Sequence, residues 1–287
     1  RKPVLLEMTL LGSDDPLTLN RRANSSGSQM LPHRPLKYSL FLQADGYVSK
    51  SRGLTLAYQR AGLSDSKLFE IPSGIDTELF RPAAPAEKMN LRHKLGFDNE
   101  AIHILFVGGI SDRKGVHLLI EAFQKVQTSH PEARLTLVGP TKRFDQQYVQ
   151  SIKNKIQASS LKDKVSLIGP VANVADYLKA ADIFVLPSYH EGFSMAILEA
   201  MSAGLPIVAS DIPEIAYSQI DPEVEGILIP VADVDSLTVQ LSRLINNKEL
   251  RKQIGQAARK RVVRDFTHKI VDSLYLDAYR CLGEQSR

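Results

Sequence analysis

From residue 101 onward, short unbroken apolar runs alternate with segments whose apolar positions recur every three or four residues. The runs IHILFVG, RLTLVG, VSLIG, IFVLP and IVAS lack the polar alternation of a half-exposed strand, so they predict strands buried on both faces. Between them GVHLLIEAFQKVQ, 145–159, 173–181 and 194–203 carry helical periodicity. Strands alternating with helices in this way predict a parallel sheet covered on both sides: an α/β, doubly wound, Rossmann-like domain. A further strand, GILIP, and three helices, about 233–246, 248–264 and 268–282, close the chain. In such an architecture ligands bind outside the carboxyl ends of the strands, so the loops after 107, 138, 168 and 187 should converge.

The first third of the chain is patterned more thinly. Residues 3–11 read as a strand, the polar segment 12–35 as a loop, and 36–44 as a short helix. The strand GYVS, a helix over 52–61 and the strand KLFEI (67–71) complete a βαβ fragment. PSGIDTELFRPAAPAEK, at 72–88, is rich in proline, glycine and alanine and reads as a linker.

Composition changes this picture little. The hydrophobic fraction of 43% over 287 residues suits a globular chain with a sizeable core. The apolar runs fall well short of the roughly 20 residues that cross a bilayer, and no signal-peptide pattern opens the chain, so a cytoplasmic location is expected. One cysteine, Cys281, excludes an internal disulfide framework and a multi-cysteine metal site. The net charge of +4 is modest. Much of it lies in 248–264, which reads as a solvated helix face or as a contact for an anionic membrane surface. Nothing points to a nucleic-acid partner. The chain opens on Arg1 and enters an apolar strand almost at once, which is expected of a start in mid-domain.

The chemistry concentrates in SYHEGFSMAILEAMSAGLPIVASDIPE. Here a strand ends, a turn follows at Glu191 and Gly192, and a helix runs until Gly204 stops it. One helical turn from Glu199 stand Met195, Ala196, Ser202 and Ala203, none of them a charged partner. A carboxylate left unpaired in such surroundings costs several kcal/mol, roughly, so it calls for donors, and sugar or ribose hydroxyls would serve. Ahead of it the amides of Gly192, Phe193 and Ser194 open a helix, a place that attracts phosphate oxygens. The plainer alternative is a core helix with one glutamate reaching a solvent gap.

A second candidate is GGISDRKG, where Gly108 and Gly109 permit close approach and Arg113 and Lys114 could cradle an anion. It fits neither the Walker pattern nor GxGxxG, which removes the best signatures of ATP hydrolysis and of NAD chemistry. Asp233, Val234 and Asp235 spell DxD, a metal-holding pattern elsewhere, but a helix N-cap explains it here. His190 adjoins Glu191 and reads as structural or exposed. There is no HExxH and no G-x-S-x-G, so no metal site and no serine nucleophile are expected. Glu191 and Glu199 could also be a glycosidase carboxylate pair, although the anion-binding turn between them favours a nucleotide ligand.

The chain resembles the retaining glycosyltransferases of the GT-B fold, in the bacterial type 1 group also known as glycosyltransferase family 4. The resemblance spans about 40–284 and rests on D-G-Y-V-S (45–49), I-P-S-G-I-D (71–76) with Phe80 and Pro82, R-K-G (113–115), L-V-G-P (137–140) and, most specifically, E-G-F-S-M-A-I-L-E-A-M-S-A-G-L-P-I-V-A-S. It implies transfer of a sugar from a nucleoside-diphosphate donor, UDP- or GDP-linked, to a glycan, lipid or small-molecule acceptor, with retained anomeric configuration and no metal or other cofactor. By position, Glu199 would hold the ribose hydroxyls, Glu191 the donor sugar, and the amides at Phe193 and Ser194 the sugar or phosphate. Lys114 and Arg113 would neutralise the leaving diphosphate. The base would lie against Gly139–Arg143 and Ile168–Pro170, the latter including Gly169. Many members carry arginine where this chain has Gly109, which leaves phosphate neutralisation to Arg113 and Lys114. The resemblance divides the chain into the end of an acceptor domain (1–75), a linker (76–88), a donor domain (89–266) and a final helix that crosses back (267–287). With the acceptor domain cut short, the chain is expected to bind a donor, transfer depending on the missing part. A non-catalytic nucleotide-sugar-binding module and a sugar-nucleotide epimerase of similar fold are the alternatives.

Overall fold

A computed structural model describes residues 2–7, 41–141, 145–158 and 161–285. Most of the expected loop and helix between 8 and 40, and Arg143, lie outside them. Two parallel sheets organise the rest.

The larger sheet contains β4 (Ile102–Val107), β5 (Ala133–Val138), β6 (Val165–Gly169), β7 (Ile183–Leu186), β8 (Ile207–Ser210) and β9 (Ile227–Ile229). Its spatial order is β6-β5-β4-β7-β8-β9, and every pairing is parallel. The apolar runs predict this arrangement because side chains on both faces must be covered. Ile104, Leu105, Phe106, Ile183, Phe184, Val185 and Leu186 are all fully buried, each worth about 1.5–3 kcal/mol relative to exposure. The helices α3 (Val116–Ser129), α4 (Gln146–Ala158), α5 (Val174–Ala180), α6 (Met195–Ser202), α7 (Val234–Asn246) and α8 (Lys248–Asp265) supply that cover. α3 packs against α4 and α7, whereas α6 packs against α5 and α8. Right-handed crossovers on either side of β4 put these two groups on opposite faces. The strand order therefore reverses between β4 and β7, the kind of switch point outside whose carboxyl ends ligands of such sheets bind.

The smaller sheet pairs β1 (Leu5–Glu7), β2 (Gly46–Ser49) and β3 (Leu68–Glu70), all parallel, with α1 (Arg52–Arg60) between the last two. Tyr47 and Tyr58 are fully buried in its core and spend their hydroxyls on the carbonyls of Phe41 and Val48. The last helix, α9 (His268–Gln285), lays Val271 and Ala278 against Val48 and Ile71 of this unit. The chain thus passes twice between the units, and the two passages run side by side. Ile75 N–H donates to Phe266 O over 2.9 Å, Ile75 bridges Thr267 in parallel, and Gly74 packs so closely that a Cβ there would stand 2.8 Å from His268 Nδ1.

Between the units, residues 76–84 are laced down rather than slack. Asp76 Oδ1 accepts the amides of Glu78 and Leu79, both over 2.9 Å, and the Phe80 carbonyl receives Ser202 Oγ and Arg259 Nη1. A helix absent from the sequence reading, α2 (Pro85–Leu95), begins inside the expected linker. Its pattern is hidden because it packs through cations: Lys88 and Arg92 both bond Asp182, over 2.7 and 2.6 Å. No helix among the described residues is long and apolar enough to cross a membrane.

Candidate functional site

At the switch point between β4 and β7 the loops meet backbone to backbone. Gly115 stands in the left-handed region at φ 65°, where only glycine is unstrained, and a Cβ there would lie 2.0 Å from Pro187 O. Gly139, at φ 148°, abuts the carbonyl of Gly108 in the same way, at 1.9 Å. The loops after β4, β5 and β7 therefore touch without intervening side chains. Gly108 N–H donates to Val138 O, Gly139 N–H to Gly169 O, and Tyr189 N–H to Arg113 O, each over 2.9 Å.

On this base two loops exchange charge. Lys114 Nζ lies 2.6 Å from Glu191 Oε1, and Arg113 Nη1 lies 3.5 Å from Glu191 Oε2 while also donating to the His190 carbonyl. Glu191 is only 4% exposed. Burial pulls the Lys114 ammonium below the usual lysine range, and the Glu191 carboxylate works against that pull. An anion entering here meets two cations held by a backbone that has little freedom to retreat.

The turn into α6 is more tightly bound than its sequence suggests. Ser194 is the N-cap, with Oγ accepting from Ile197 N–H, but its own amide donates to Gln219 Oε1 over 2.9 Å. That amide is thus already engaged. The amides of Gly192 and Phe193 have no acceptor among the described residues. The Phe193 ring packs edge-on against Phe266 at 5.9 Å.

Further along α6, the Glu199 carboxylate meets no hydrogen-bond donor and no cation among the described residues, and burial alone pushes its pKa up to about 7. Around it Ser202 is turned to Phe80, and Met195 is 38% exposed. Gly139 and Gly169 stand on the neighbouring rim at the ends of β5 and β6, and the space a Gly169 side chain would fill is open. Ile168, expected there too, is 41% exposed but lines a separate hollow with Phe97, His103 and Arg134. Gly109 is half-buried beside Gly108, across which the Lys114 stem runs. Arg143, expected on the same rim, falls outside the described residues.

The remaining candidates resolve into ordinary structure. Asp233 caps α7 through Ser236 N–H at 2.8 Å and Ser236 Oγ at 2.6 Å, while Asp235 pairs with Lys125. On α8, Arg251 bonds the carbonyls of Leu244 and Ile245, Arg259 those of Phe80 and Ser202, and Arg261 pairs with Glu225. Lys252 and Lys260 remain exposed on its outer face. Two features were invisible in the sequence. One is Gln219, in a loop with no periodicity. The other is His117, whose ring is bracketed by Tyr148 Oη at 3.0 Å and Tyr189 Oη at 3.3 Å, and which steadies the loop leading to Glu191.

Comparison with known proteins adds a lineage to this geometry. Residues 87–261 match the family described as glycosyl transferases group 1. The chain is 34% identical over 154 residues to the mannosylfructose-phosphate synthase of Agrobacterium fabrum, covering 52% of this chain and 34% of that protein. It is 32% identical over 220 residues to the UDP-Gal:alpha-D-GlcNAc-diphosphoundecaprenol alpha-1,3-galactosyltransferase of Escherichia coli, covering 74% of this chain and 54% of that protein. It therefore spans about half the length, or less, of these curated relatives. In fold it superposes on Anabaena HepE in complex with UDP-glucose, with a TM-score of 0.80 at 22% identity, over 98% of this chain and 72% of that one.

Proposed function

The chain belongs to the group 1 glycosyl transferases, and on that premise we propose that it binds a nucleoside-diphosphate sugar at the switch point between β4 and β7 and serves its transfer to an acceptor. The observation that carries the proposal is the meeting of Lys114 and Arg113 with buried Glu191 where the strand order reverses. In a glycosyl transfer the bond from the anomeric carbon to the diphosphate breaks, and negative charge grows on the departing phosphate. Donors fixed beforehand at that position stabilise the transition state. Lys114 and Arg113 have that role in our reading, and their two charges support a reaction without a divalent metal. Glu191 accepts hydroxyls of the donor sugar, and Glu199, lacking any other donor, accepts those of the ribose. Retention of anomeric configuration completes the proposal, on the strength of the motif resemblance.

The relatives named above include a synthase of mannosylfructose phosphate and a UDP-galactose-dependent enzyme acting on a lipid-linked sugar, so glycan, lipid and small-molecule acceptors all fall within the proposal. The exposed lysines Lys252 and Lys260 support a peripheral contact with an anionic membrane surface, placed by our reading on the cytoplasmic side. The deciding experiment is calorimetric titration with UDP, GDP and ADP, then with UDP-glucose and GDP-mannose. We expect one base to be preferred and the matching nucleotide sugar to bind. Binding of none of these would refute the site.

A further inference from the structure

Gln219 sits at the foot of the donor turn without belonging to any motif. Its side chain is fully buried, and its carboxamide is spent entirely on one residue: Oε1 accepts from Ser194 N–H and Nε2 donates to Ser194 O, each over 2.9 Å. Ser194 is both the N-cap of α6 and the residue that closes the Gly192–Ser194 turn. Helix N-termini ordinarily leave their first amides to solvent or ligand. Here one of them is withdrawn and clamped.

The clamp stands on rigid ground. The loop after β8 is wound by Ala216 N–H to Ile212 O, Gln219 N–H to Ile215 O and Tyr217 N–H to Ile220 O, at 2.8, 2.9 and 2.8 Å. Ile215 and Ile220 are fully buried in the main core. On its other side the same loop meets the smaller unit. Ser218 Oγ accepts from Arg52 N–H over 2.8 Å, the Arg52 guanidinium lies 6.0 Å from the Tyr217 ring centre, and the Glu214 side chain presses against Gly53.

We propose that Gln219 is a positioning residue for the glycosyl part of the donor. By fixing both main-chain polar groups of Ser194, it sets the turn whose remaining amides, Gly192 and Phe193, go in this proposal to the glycosyl oxygens, the diphosphate being held by Lys114 and Arg113. This rests on the donor-site reading above. The carboxamide touches neither the Glu199 carboxylate nor the Lys114 ammonium, so it governs the sugar end and leaves the nucleoside and diphosphate grips intact.

The test compares nucleoside diphosphate with nucleotide sugar, using UDP and UDP-glucose or GDP and GDP-mannose, whichever pair the wild-type chain binds. Gln219→Leu removes both hydrogen bonds. The nucleotide-sugar Kd should rise about tenfold, as for the loss of one or two buried hydrogen bonds, while that of the nucleoside diphosphate stays within about twofold. A general loosening of the fold would weaken both together, so an unchanged ratio of the two constants overturns the proposal. Gln219→Glu decides the matter if the leucine variant does not fold. A protonated carboxyl can accept from Ser194 N–H and donate to Ser194 O, whereas an ionised one cannot donate. The ratio should therefore match wild type near pH 5.5 and depart from it near pH 8, each compared with wild type at the same pH. A ratio independent of pH overturns the proposal. Wild-type protein that binds none of the four ligands overturns the donor-site reading and this proposal with it, whereas normal wild-type binding with unaltered ratios in the variants overturns this proposal alone.

Discussion

If Glu199 holds the ribose as proposed, donor binding should depend on pH in a calculable way. Its pKa stands near 7 because burial disfavours the charge and nothing nearby restores it. Ribose hydroxyls can donate to the ionised carboxylate, so binding lowers that pKa, and below neutrality the ligand must first displace a proton. The ionised fraction rises from roughly 0.03 at pH 5.5 to about 0.76 at pH 7.5. Affinity should therefore strengthen about 25-fold across that interval, equivalent to about 1.9 kcal/mol, and level off above it. The ligand should be a nucleotide sugar, since the terminal phosphate of a free nucleoside diphosphate itself titrates near pH ~6. Calorimetry in two buffers of different ionisation enthalpy should count most of one proton released on binding near pH 6. Glu199→Gln should bind more weakly at pH 7.5 and show no such slope. An identical pH profile in the variant, or binding without proton release, would refute the reasoning. The same shift has a sign for stability. The folded state holds this proton more tightly than the unfolded chain, so the contribution is complete below about pH 4.5 and is lost as pH rises through about 7.

Lys114→Ala should weaken nucleoside-diphosphate binding by a factor on the order of 10 to 100 and leave affinity for the bare nucleoside unchanged, as titration of both would show; equal losses would remove Lys114 from the phosphate. Gly115→Ala forces a methyl group into Pro187 O from a left-handed backbone, and urea denaturation should register a loss on the order of 3 kcal/mol or more, together with donor binding. A loss below about 1 kcal/mol would mean that the two loops do not abut as described. Asp233→Ala removes the cap of α7 and should lower the melting temperature by about 2–4 °C while leaving donor affinity the same in magnesium and in chelator; magnesium-dependent binding lost in this variant would restore the metal reading of the DxD.

How much of this was legible depends on what each residue packs against. The six strands of the larger sheet were readable because a doubly covered strand must be apolar throughout, and IHILFV and IFVL leave no alternative face. α2 was not, because it is fastened to Asp182 by Lys88 and Arg92 and carries no apolar stripe to betray it. Within the site, Lys114, Glu191 and Glu199 could be picked out as charged residues in apolar or glycine-rich settings. That Lys114 and Glu191 bond each other could not, since the pairing joins loops far apart in the chain and depends on β4 and β7 being neighbours. Gln219 was the hardest to foresee. Both of its side-chain bonds go to the main chain of Ser194, and a main chain has no sequence signature.

The two passages between the units, paired through Ile75 and Phe266, have a mechanical meaning. A single tether would let one unit swivel about a point in any direction. Two tethers in register define a line. A movement of one unit past the other that kept the Ile75–Phe266 bond would have to turn about that line, and it would also have to part Arg52 from Ser218. Gly74 stands on the line, where an added methyl group would meet His268 Nδ1 at 2.8 Å.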